Sequence, residues 1–301
     1  MDKAIFLDNA ATTRTDPEVL EAMDEWLGDN YGSPATLYAF GSQAKQAIET
    51  ARQHVADLIG ADQKDIFFTS GATESNNWAL KGVTEALEAK GRHIITDEAE
   101  HHSILMPCRY LEKKGWEVTY LPVDADGLVD PAAVEEAIRE DTVLVSIVHA
   151  NHEIGTIQPI EKIGSITREK GVALHVNAAQ TAGHIPVDVS ELSCDLLTLS
   201  GHKFYGPKGV GALYIKRGTH IVPLLHGGGQ EKKRRAGTHN VPGIVGLGKA
   251  SELARKNLGA ESERLTSLRD YIIGKIESNL DDIRLNGHRT RRLPNNVNVS
   301  I

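Results

Sequence analysis

Apolar positions along this chain follow two alternating patterns. Short apolar runs bounded by turn residues predict strands that are buried on both faces. Longer segments with apolar residues every three or four positions predict helices. Strands that alternate with helices in this way predict an α/β fold, a mostly parallel sheet covered by helices. The predicted strands are 66–69, 93–96, 117–121, 143–148, 173–176, 196–199 and 209–215. The predicted helices are 43–59, 74–90, 103–114, 131–139, 160–170 and 240–256.

The pattern changes toward the end of the chain. From about Glu261 onward it predicts a further helix and then a strand over 296–301. The chain stops within that strand and no partner strand follows it, so we expect a truncated smaller lobe of α+β type. The expected division is a large domain over 15–256 and a partial small domain formed by 1–14 and 257–301.

The charge balance argues against a nucleic-acid partner. The chain has 33 Lys and Arg residues against 41 Asp and Glu residues, a formal net charge of −8. It therefore has no basic excess with which to neutralise phosphates along a nucleic acid. The one basic cluster, 232–235, is short and lies between glycines. A solvated loop is the favoured interpretation of this cluster, and anchoring of a small phosphate is the alternative.

The cysteine content indicates a reducing compartment. Cys108 and Cys194 are the only two cysteines, and they form no CxxC pair. A disulfide scaffold and a cysteine-based zinc site are therefore disfavoured. The N-terminus lacks the pattern of a signal peptide, and no apolar run approaches the ~18 residues that span a bilayer. We expect a soluble, cytoplasmic protein with no membrane partner.

Polar clusters follow five of the predicted strands at the point where each strand ends. The carboxyl ends of parallel strands meet at one edge of a sheet, and ligands of open α/β sheets bind at that edge. Five such clusters together predict a binding site there. The clusters are 70–74, 100–102, 149–151, 177–180 and 200–203.

Lys203 is the strongest candidate for chemistry within these clusters. It follows a predicted strand and precedes a loop rich in Gly and Pro. Partial burial would lower its pKa and leave a neutral amine able to form a Schiff base. A surface lysine beside a turn is the alternative.

In another cluster, Gly71 and Thr73 begin a predicted helix. The free N–H groups at the start of that helix suit a phosphate, although helix capping alone would need the same residues.

Several histidines near these strand ends raise the question of a metal site. His101 and His102 could join His149 and His152 as ligands. The spacing of the last two is not that of an HExxH motif, and no carboxylates frame them. We therefore expect no metal. A neutral His101 that stacks on an aromatic ligand or carries a proton better suits a site with a reactive lysine.

Taken in their order along the chain, these clusters resemble the cysteine desulfurases of iron–sulfur cluster assembly. Those enzymes depend on pyridoxal 5'-phosphate and belong to the class V aminotransferase group. The resemblance spans essentially the whole chain and implies fold type I, with a seven-stranded type of sheet and a smaller lobe. The segments that carry it are 7–13, 30–34, 69–77, 100–101, 151–155, 200–203, 227–231, 235–238 and 293–296.

The resemblance implies a role for each matching position. Lys203 would form the Schiff base with the cofactor, and His101 would stack on the pyridine ring and move protons. These two are the implied catalytic residues. The implied cofactor contacts are Ala72, Thr73, Ser200 and His202 at the phosphate, Gln180 and Asn151 at the phenolic oxygen, Asn177 at the ring nitrogen, and Thr238 from the partner subunit of a homodimer. The implied substrate contacts are Asn9, Ala10 and Asn151.

The implied reaction converts L-cysteine to L-alanine and delivers the sulfur to an iron–sulfur scaffold protein. Two alternatives stay open at this point. A selenocysteine lyase would share nearly every motif, and comparing release of sulfur and selenium would separate the two. The chain could also be a non-catalytic, cofactor-binding scaffold homologue, which release of sulfide from cysteine would exclude.

Asn177 departs from the family, which has Asp at this position. An anionic Asp keeps the pyridine nitrogen protonated, whereas Asn offers a neutral hydrogen bond. At ~4 Å and an effective dielectric constant near 20, the lost charge pair amounts to about 4 kcal/mol as an upper figure. If all of it appeared in the barrier, the rate would fall roughly a thousandfold. We therefore expect cofactor binding with slower turnover.

The second departure concerns the sulfur acceptor. Family members carry, in a C-terminal lobe beyond the position of Ile301, a mobile-loop cysteine that accepts the sulfur and an arginine that binds the substrate carboxylate. Cys108 falls in a predicted helix and Cys194 just before an apolar strand. We expect both to be small core residues rather than catalytic thiols.

Overall fold

The fold is described from a computed structural model that covers residues 5–301. The helices are α1 (Pro17–Leu27), α2 (Ala39–Leu58), α3 (Ala72–Leu87), α4 (His102–Glu112), α5 (Pro131–Ala137), α6 (Ile160–Lys170) and α7 (Val241–Asn279). The strands are β1 (Ile66–Thr69), β2 (His93–Asp97), β3 (Glu117–Leu121), β4 (Thr142–Val148), β5 (Ala173–Asn177), β6 (Leu196–Ser200), β7 (Gly211–Ile215), β8 (Arg284–Leu285) and β9 (Val299–Ser300). Residues 1–4 of the predicted small domain lie outside the described range.

Seven of these strands form one sheet in the order β1-β7-β6-β5-β4-β2-β3. β7 runs antiparallel to both of its neighbours, β1 and β6. β1 and β6 therefore run in the same direction, and the remaining pairs are parallel. As a result β1, β2, β4, β5 and β6 all end at the same edge of the sheet. The prediction of a mostly parallel seven-stranded sheet is confirmed.

Both faces of the sheet are covered by helices, which explains why the strands are apolar on both faces. In β4 the side chains of Leu144 and Val145 point to opposite faces and enter different hydrophobic clusters. The cluster on one face includes side chains from α2, α6 and the start of α7, and the other includes side chains from α3 and α4. All seven residues of β4 are buried.

The structure corrects two predictions near the end of the chain. A break was expected between a helix ending at Lys256 and another beginning near Glu261, but α7 continues unbroken for 39 residues. No proline occurs at the expected break, and a glycine such as Gly259 costs a helix only about 1 kcal/mol. The predicted boundary between 256 and 257 falls inside α7, and the division into domains stays a prediction.

The second correction concerns the strand predicted over 296–301. The observed strand, β9, covers only Val299–Ser300 and pairs antiparallel with β8. The partner strand lies earlier in the chain, and its two residues are too few to give a period-2 pattern.

Among residues 5–301, the helices are either too short or too polar to cross a lipid bilayer.

Both cysteines lie in the core, as expected. Cys108 is on α4 and Cys194 directly precedes β6, and both are buried and unpaired. Burial is the main cause that raises the pKa of each thiol, for Cys108 to about 12. A thiol with a raised pKa carries little thiolate at neutral pH, so neither cysteine is suited to nucleophilic attack.

A buried ion pair ties α2 and β1 to the segment before α7. The guanidinium of Arg52 donates to both carboxylate oxygens of Glu231, at 2.7 and 2.8 Å, and to the carbonyl of Ile66. Glu231 also accepts the backbone N–H of Phe68 and a ring N–H of His239. Burial alone would raise the pKa of Glu231, but the hydrogen bonds from His239 and Arg52 lower it to about 2.

We expect Arg52→Met to destabilise the protein by about 3–5 kcal/mol, because it leaves the Glu231 carboxylate buried without its partner. Urea-induced unfolding followed by circular dichroism measures this loss. Arg139→Met is the matched control, since Arg139 pairs with Glu117 at the surface and its side chain is 39% exposed. Equal losses in the two variants would contradict the role given to the buried pair.

Candidate active site

The five predicted polar clusters meet around one cavity at the carboxyl edge of the sheet. The cavity has a volume of about 510 Å³. Eight of the twelve predicted site residues line it: Ala72, Thr73, His101, Asn177, Gln180, Ser200, His202 and Lys203. Because these residues lie up to 131 positions apart in the chain, only the sheet brings them together.

The start of α3 forms a seat for an anion on one wall of this cavity. Gly71 is the N-cap, with φ of +142°, a conformation that residues with a Cβ rarely adopt. It has no side chain to cap the helix, so the first amides of α3 are available to a ligand. Glu74 holds this turn by accepting from the backbone N–H of Ser70 and pairing with Arg235. Ser200 and His202 line the same cavity.

Lys203 lies half-buried in a short 3₁₀ turn directly after β6. Its Nζ donates to the carbonyl oxygens of Ala10 at 2.6 Å and Ala11 at 2.9 Å. Burial lowers the pKa of Lys203, and the charge of Asp8 partly opposes this shift. A lowered pKa increases the neutral fraction of the amine, which is the nucleophilic form.

His101 is the N-cap of α4, and this role fixes its tautomer. Its Nδ1 accepts the backbone N–H of Ser103 at 3.0 Å, so Nδ1 holds a lone pair and the proton of the neutral ring is on Nε2. Desolvation, followed by the charges of His152, Lys203 and His102, lowers the pKa of His101 to about 4. The ring is therefore neutral at neutral pH, as predicted from the sequence.

Asn177 and Gln180 form the wall of the cavity at the end of β5. Gln180 donates from Nε2 to the carbonyl of Ala10, which also accepts from Lys203. Asn177 is 4% exposed, and its Nδ2 donates to Oε2 of Glu100 at 3.1 Å. Glu100 is buried behind it, and burial together with the nearby charge of Asp97 raises the pKa of Glu100.

Four predicted residues lie outside the lining of this cavity in the described part of the chain. Asn9 lies in a turn and Ala10 contributes only its carbonyl. Asn151 donates from Nδ2 to the carbonyl of Ala99, which follows β2, and its Oδ1 accepts the backbone N–H of Glu153 in its own loop. Thr238 lines a separate cavity of about 410 Å³ beside Arg52.

Sequence reasoning missed several residues of the cavity wall. His152 was considered only as a metal ligand, but its ring packs edge-to-face on His101, with ring centroids 5.0 Å apart. Lys208 lines the cavity from the Gly/Pro-rich loop, where it resembled any surface lysine. Asn76 donates to Oγ of Ser103 at 2.7 Å, a contact that no local pattern signals.

Within 5–301, His, Cys, Asp and Glu side chains form no group of three suited to a metal.

These residues fit pyridoxal 5'-phosphate. The uncapped start of α3 suits its phosphate, the amine of Lys203 suits its aldehyde, and the neutral ring of His101 suits stacking on its pyridine ring. The φ of +142° at Gly71 favours glycine at this turn, and a Cβ there would have only Ser200 Oγ near it, at 3.8 Å. The fold and this lysine-bearing cavity define the class of pyridoxal-phosphate enzymes of fold type I.

Comparison with protein families places the chain within that class. The family model for class-V aminotransferases matches residues 5–301. A cysteine desulfurase IscS from Dictyoglomus turgidum is 55% identical over all of this chain and 76% of the relative's length. One from Methanosarcina thermophila is 54% identical over 99% of this chain and 74% of the relative. The chain belongs to the class-V aminotransferase family of pyridoxal-phosphate enzymes, and to its cysteine desulfurase branch.

Solved structures support the same assignment. A NifS-like protein superposes with a TM-score of 0.96 at 43% identity, covering 99% of this chain and 82% of the other. SspA in complex with cysteine superposes with a TM-score of 0.84 at 43% identity, covering 90% of this chain and 78% of the other. The fold type predicted from the resemblance is confirmed.

Proposed function

We propose that this chain is a cysteine desulfurase that converts L-cysteine to L-alanine and passes the sulfur to a thiol acceptor. The observation that carries the proposal is the position of Lys203, whose amine has a lowered pKa and lines the same cavity as the anion seat of α3 and the neutral ring of His101. The relatives named cysteine desulfurase IscS and the neighbour solved with cysteine support the choice of substrate.

The residues of the cavity would hold the cofactor and move the protons of the reaction. Bound pyridoxal phosphate supplies an electron sink for the carbanion at the substrate α-carbon. Ala72, Thr73, Ser200 and His202 would hold its phosphate, and Gln180 would donate to its phenolic oxygen. Lys203 would anchor the cofactor before substrate binds and then move the α-proton of cysteine.

His101 would keep its Nε2–H aimed at the bound molecules, because the cap on α4 occupies Nδ1. The thiol that accepts the sulfur is neither Cys108 nor Cys194, since both are buried. The resemblance places the acceptor thiol on a mobile loop in the C-terminal lobe of family members.

We expect Lys203→Ala to lose both the yellow cofactor band and the release of sulfide from cysteine in the presence of a dithiol reductant. Absorption spectra and a sulfide assay of the reconstituted protein measure these two properties. Lys216→Ala is the control, because Lys216 is an exposed lysine next to Asp195 and outside the cavity. Sulfide release that survives Lys203→Ala would contradict the mechanism, and a wild-type chain that binds the cofactor without releasing sulfide would favour the scaffold alternative.

We propose that Asn177 slows turnover, because its amide gives the ring nitrogen a neutral partner. Asn177→Asp is expected to raise kcat, by at most roughly a thousandfold, which corresponds to a charge pair of about 4 kcal/mol at ~4 Å. Steady-state kinetics of sulfide release measure the change. Asn279→Asp is the control, since Asn279 is an exposed residue at the end of α7 and lies outside the cavity. An unchanged or lower kcat in Asn177→Asp would contradict this part of the proposal.

We also propose a homodimer in which each subunit completes the other's site. Thr238 lines a cavity separate from that of Lys203, and this supports a role for Thr238 at the phosphate of a second copy rather than of its own. Thr238→Val is expected to weaken pyridoxal phosphate binding about fivefold, the loss of roughly one hydrogen bond. Fluorescence titration of the apoprotein, with Thr290→Val as the control, measures it. Unchanged affinity, or a monomer by sedimentation, would contradict the shared site.

The sulfur acceptor and the cellular location complete the proposal. The name of the IscS relatives supports an iron–sulfur scaffold protein as the acceptor. Two buried, unpaired cysteines support a reducing compartment such as the cytoplasm. Transfer of ³⁵S from labelled cysteine to a purified scaffold protein tests the first point, and absence of transfer would contradict it.

A further inference from the structure

The buried carboxyl group of Glu100 has no contact with the cavity, yet it contacts a residue that does. Glu100 is 4% exposed and does not line the cavity, whereas Asn177 does. Oε2 of Glu100 accepts from the backbone N–H of His101 at 2.8 Å and from Nδ2 of Asn177 at 3.1 Å. Asn177 therefore lies between Glu100 and the cavity.

These contacts favour one orientation of the Asn177 amide over the flipped one. Its Oδ1 accepts the backbone N–H of Ala179 at 3.4 Å while Nδ2 donates to Glu100. A flipped amide would set Oδ1 against Oε2 of Glu100, and Nδ2 against the N–H of Ala179. Both contacts would then join two acceptors or two donors, which is unfavourable in a buried site.

The protonation state of Glu100 does not change this argument. Burial and the charge of Asp97 raise the pKa of Glu100. Its Oε1 is buried without a hydrogen-bond partner, whereas Oε2 already accepts two donors. In the observed orientation a proton on this carboxyl would reside on Oε1, which leaves Oε2 as an acceptor for Asn177. A proton on Oε2 could instead donate to the Oδ1 of a flipped amide, but the NH₂ group of that amide would still face the backbone N–H of Ala179.

We propose that Glu100 is a positioning residue that fixes the Asn177 amide so that its oxygen, not its NH₂ group, is available to the ring nitrogen of pyridoxal phosphate. An amide oxygen accepts from a protonated ring nitrogen and favours that form, whereas an NH₂ group would favour the unprotonated form. Glu100 thus partly restores what the missing Asp carboxylate would provide. The inference rests on the proposed function only in placing the cofactor ring beside Asn177.

The ¹⁵N chemical shift of the ring nitrogen, measured on holoenzyme reconstituted with ¹⁵N-labelled pyridoxal phosphate, tests the proposal without reference to activity. Glu100→Met keeps the length of the side chain but removes the acceptor. We expect it to lower the ratio of protonated to unprotonated ring nitrogen about five- to tenfold, the order of one hydrogen bond. Glu98→Met is the control, because Glu98 is an exposed residue of the same loop.

Glu100→Gln separates orientation from charge. Its carbonyl oxygen can take the place of Oε2 and accept the same two donors, so the ratio is expected to stay near that of the wild type. A loss as large as that of Glu100→Met would overturn the proposal, because the charge of Glu100 rather than its acceptor geometry would then be responsible.

The Asn177→Asp background separates positioning from a general structural role. A carboxylate presents an oxygen to the ring nitrogen in either orientation, so Glu100→Met is expected to lower the ratio less in that background than in the wild-type background. An equal loss in both backgrounds would overturn the proposal, since the damage would then come from displaced His101 backbone. Binding of the labelled cofactor without sulfide release would contradict the proposed function while leaving this test intact.

Discussion

The site depends on one constraint, the common direction of the five strands that carry its residues. β7 is antiparallel to β1 and β6, and this places β1 in the same direction as the parallel strands. Without that arrangement, the anion seat at the start of α3 and Lys203 after β6 would lie at opposite edges of the sheet. The helices on both faces bury the strands and hold this edge in place.

The residues at this edge also share partners, so each one constrains the others. The carbonyl of Ala10 accepts from both Lys203 and Gln180, which links the N-terminal segment to β5 and β6. Nδ1 of His101 caps α4, and the preceding residue, Glu100, orients Asn177. The cap fixes the tautomer of His101, and the buried carboxyl of Glu100 sets the direction of an amide. Local secondary structure thus decides the chemistry of side chains in the cavity.

Buried charge is used in two different ways in this molecule. Glu231 keeps its charge because Arg52, His239 and a backbone N–H satisfy it, and its pKa is lowered to about 2. Burial and then the charge of Asp97 raise the pKa of Glu100, which receives fewer donors than Glu231. The first group stabilises the fold, and the second serves as a hydrogen-bond acceptor behind the cavity. The number of donors that each carboxyl receives explains the difference.

The sequence by itself determined the alternation of strands and helices, because burial on both faces leaves continuous apolar runs and helical spacing leaves periodic ones. It also determined which residues stand at strand ends, and it pointed to Lys203 and His101. It did not reveal that α7 is one helix or that β8 pairs with β9, since short or uninterrupted segments carry no boundary signal. Only the tertiary structure decided that Asn151 donates to Ala99 instead of lining the cavity and that Glu100 fixes Asn177. Such contacts join residues far apart in the chain, and no local pattern encodes which atom of a side chain faces which partner.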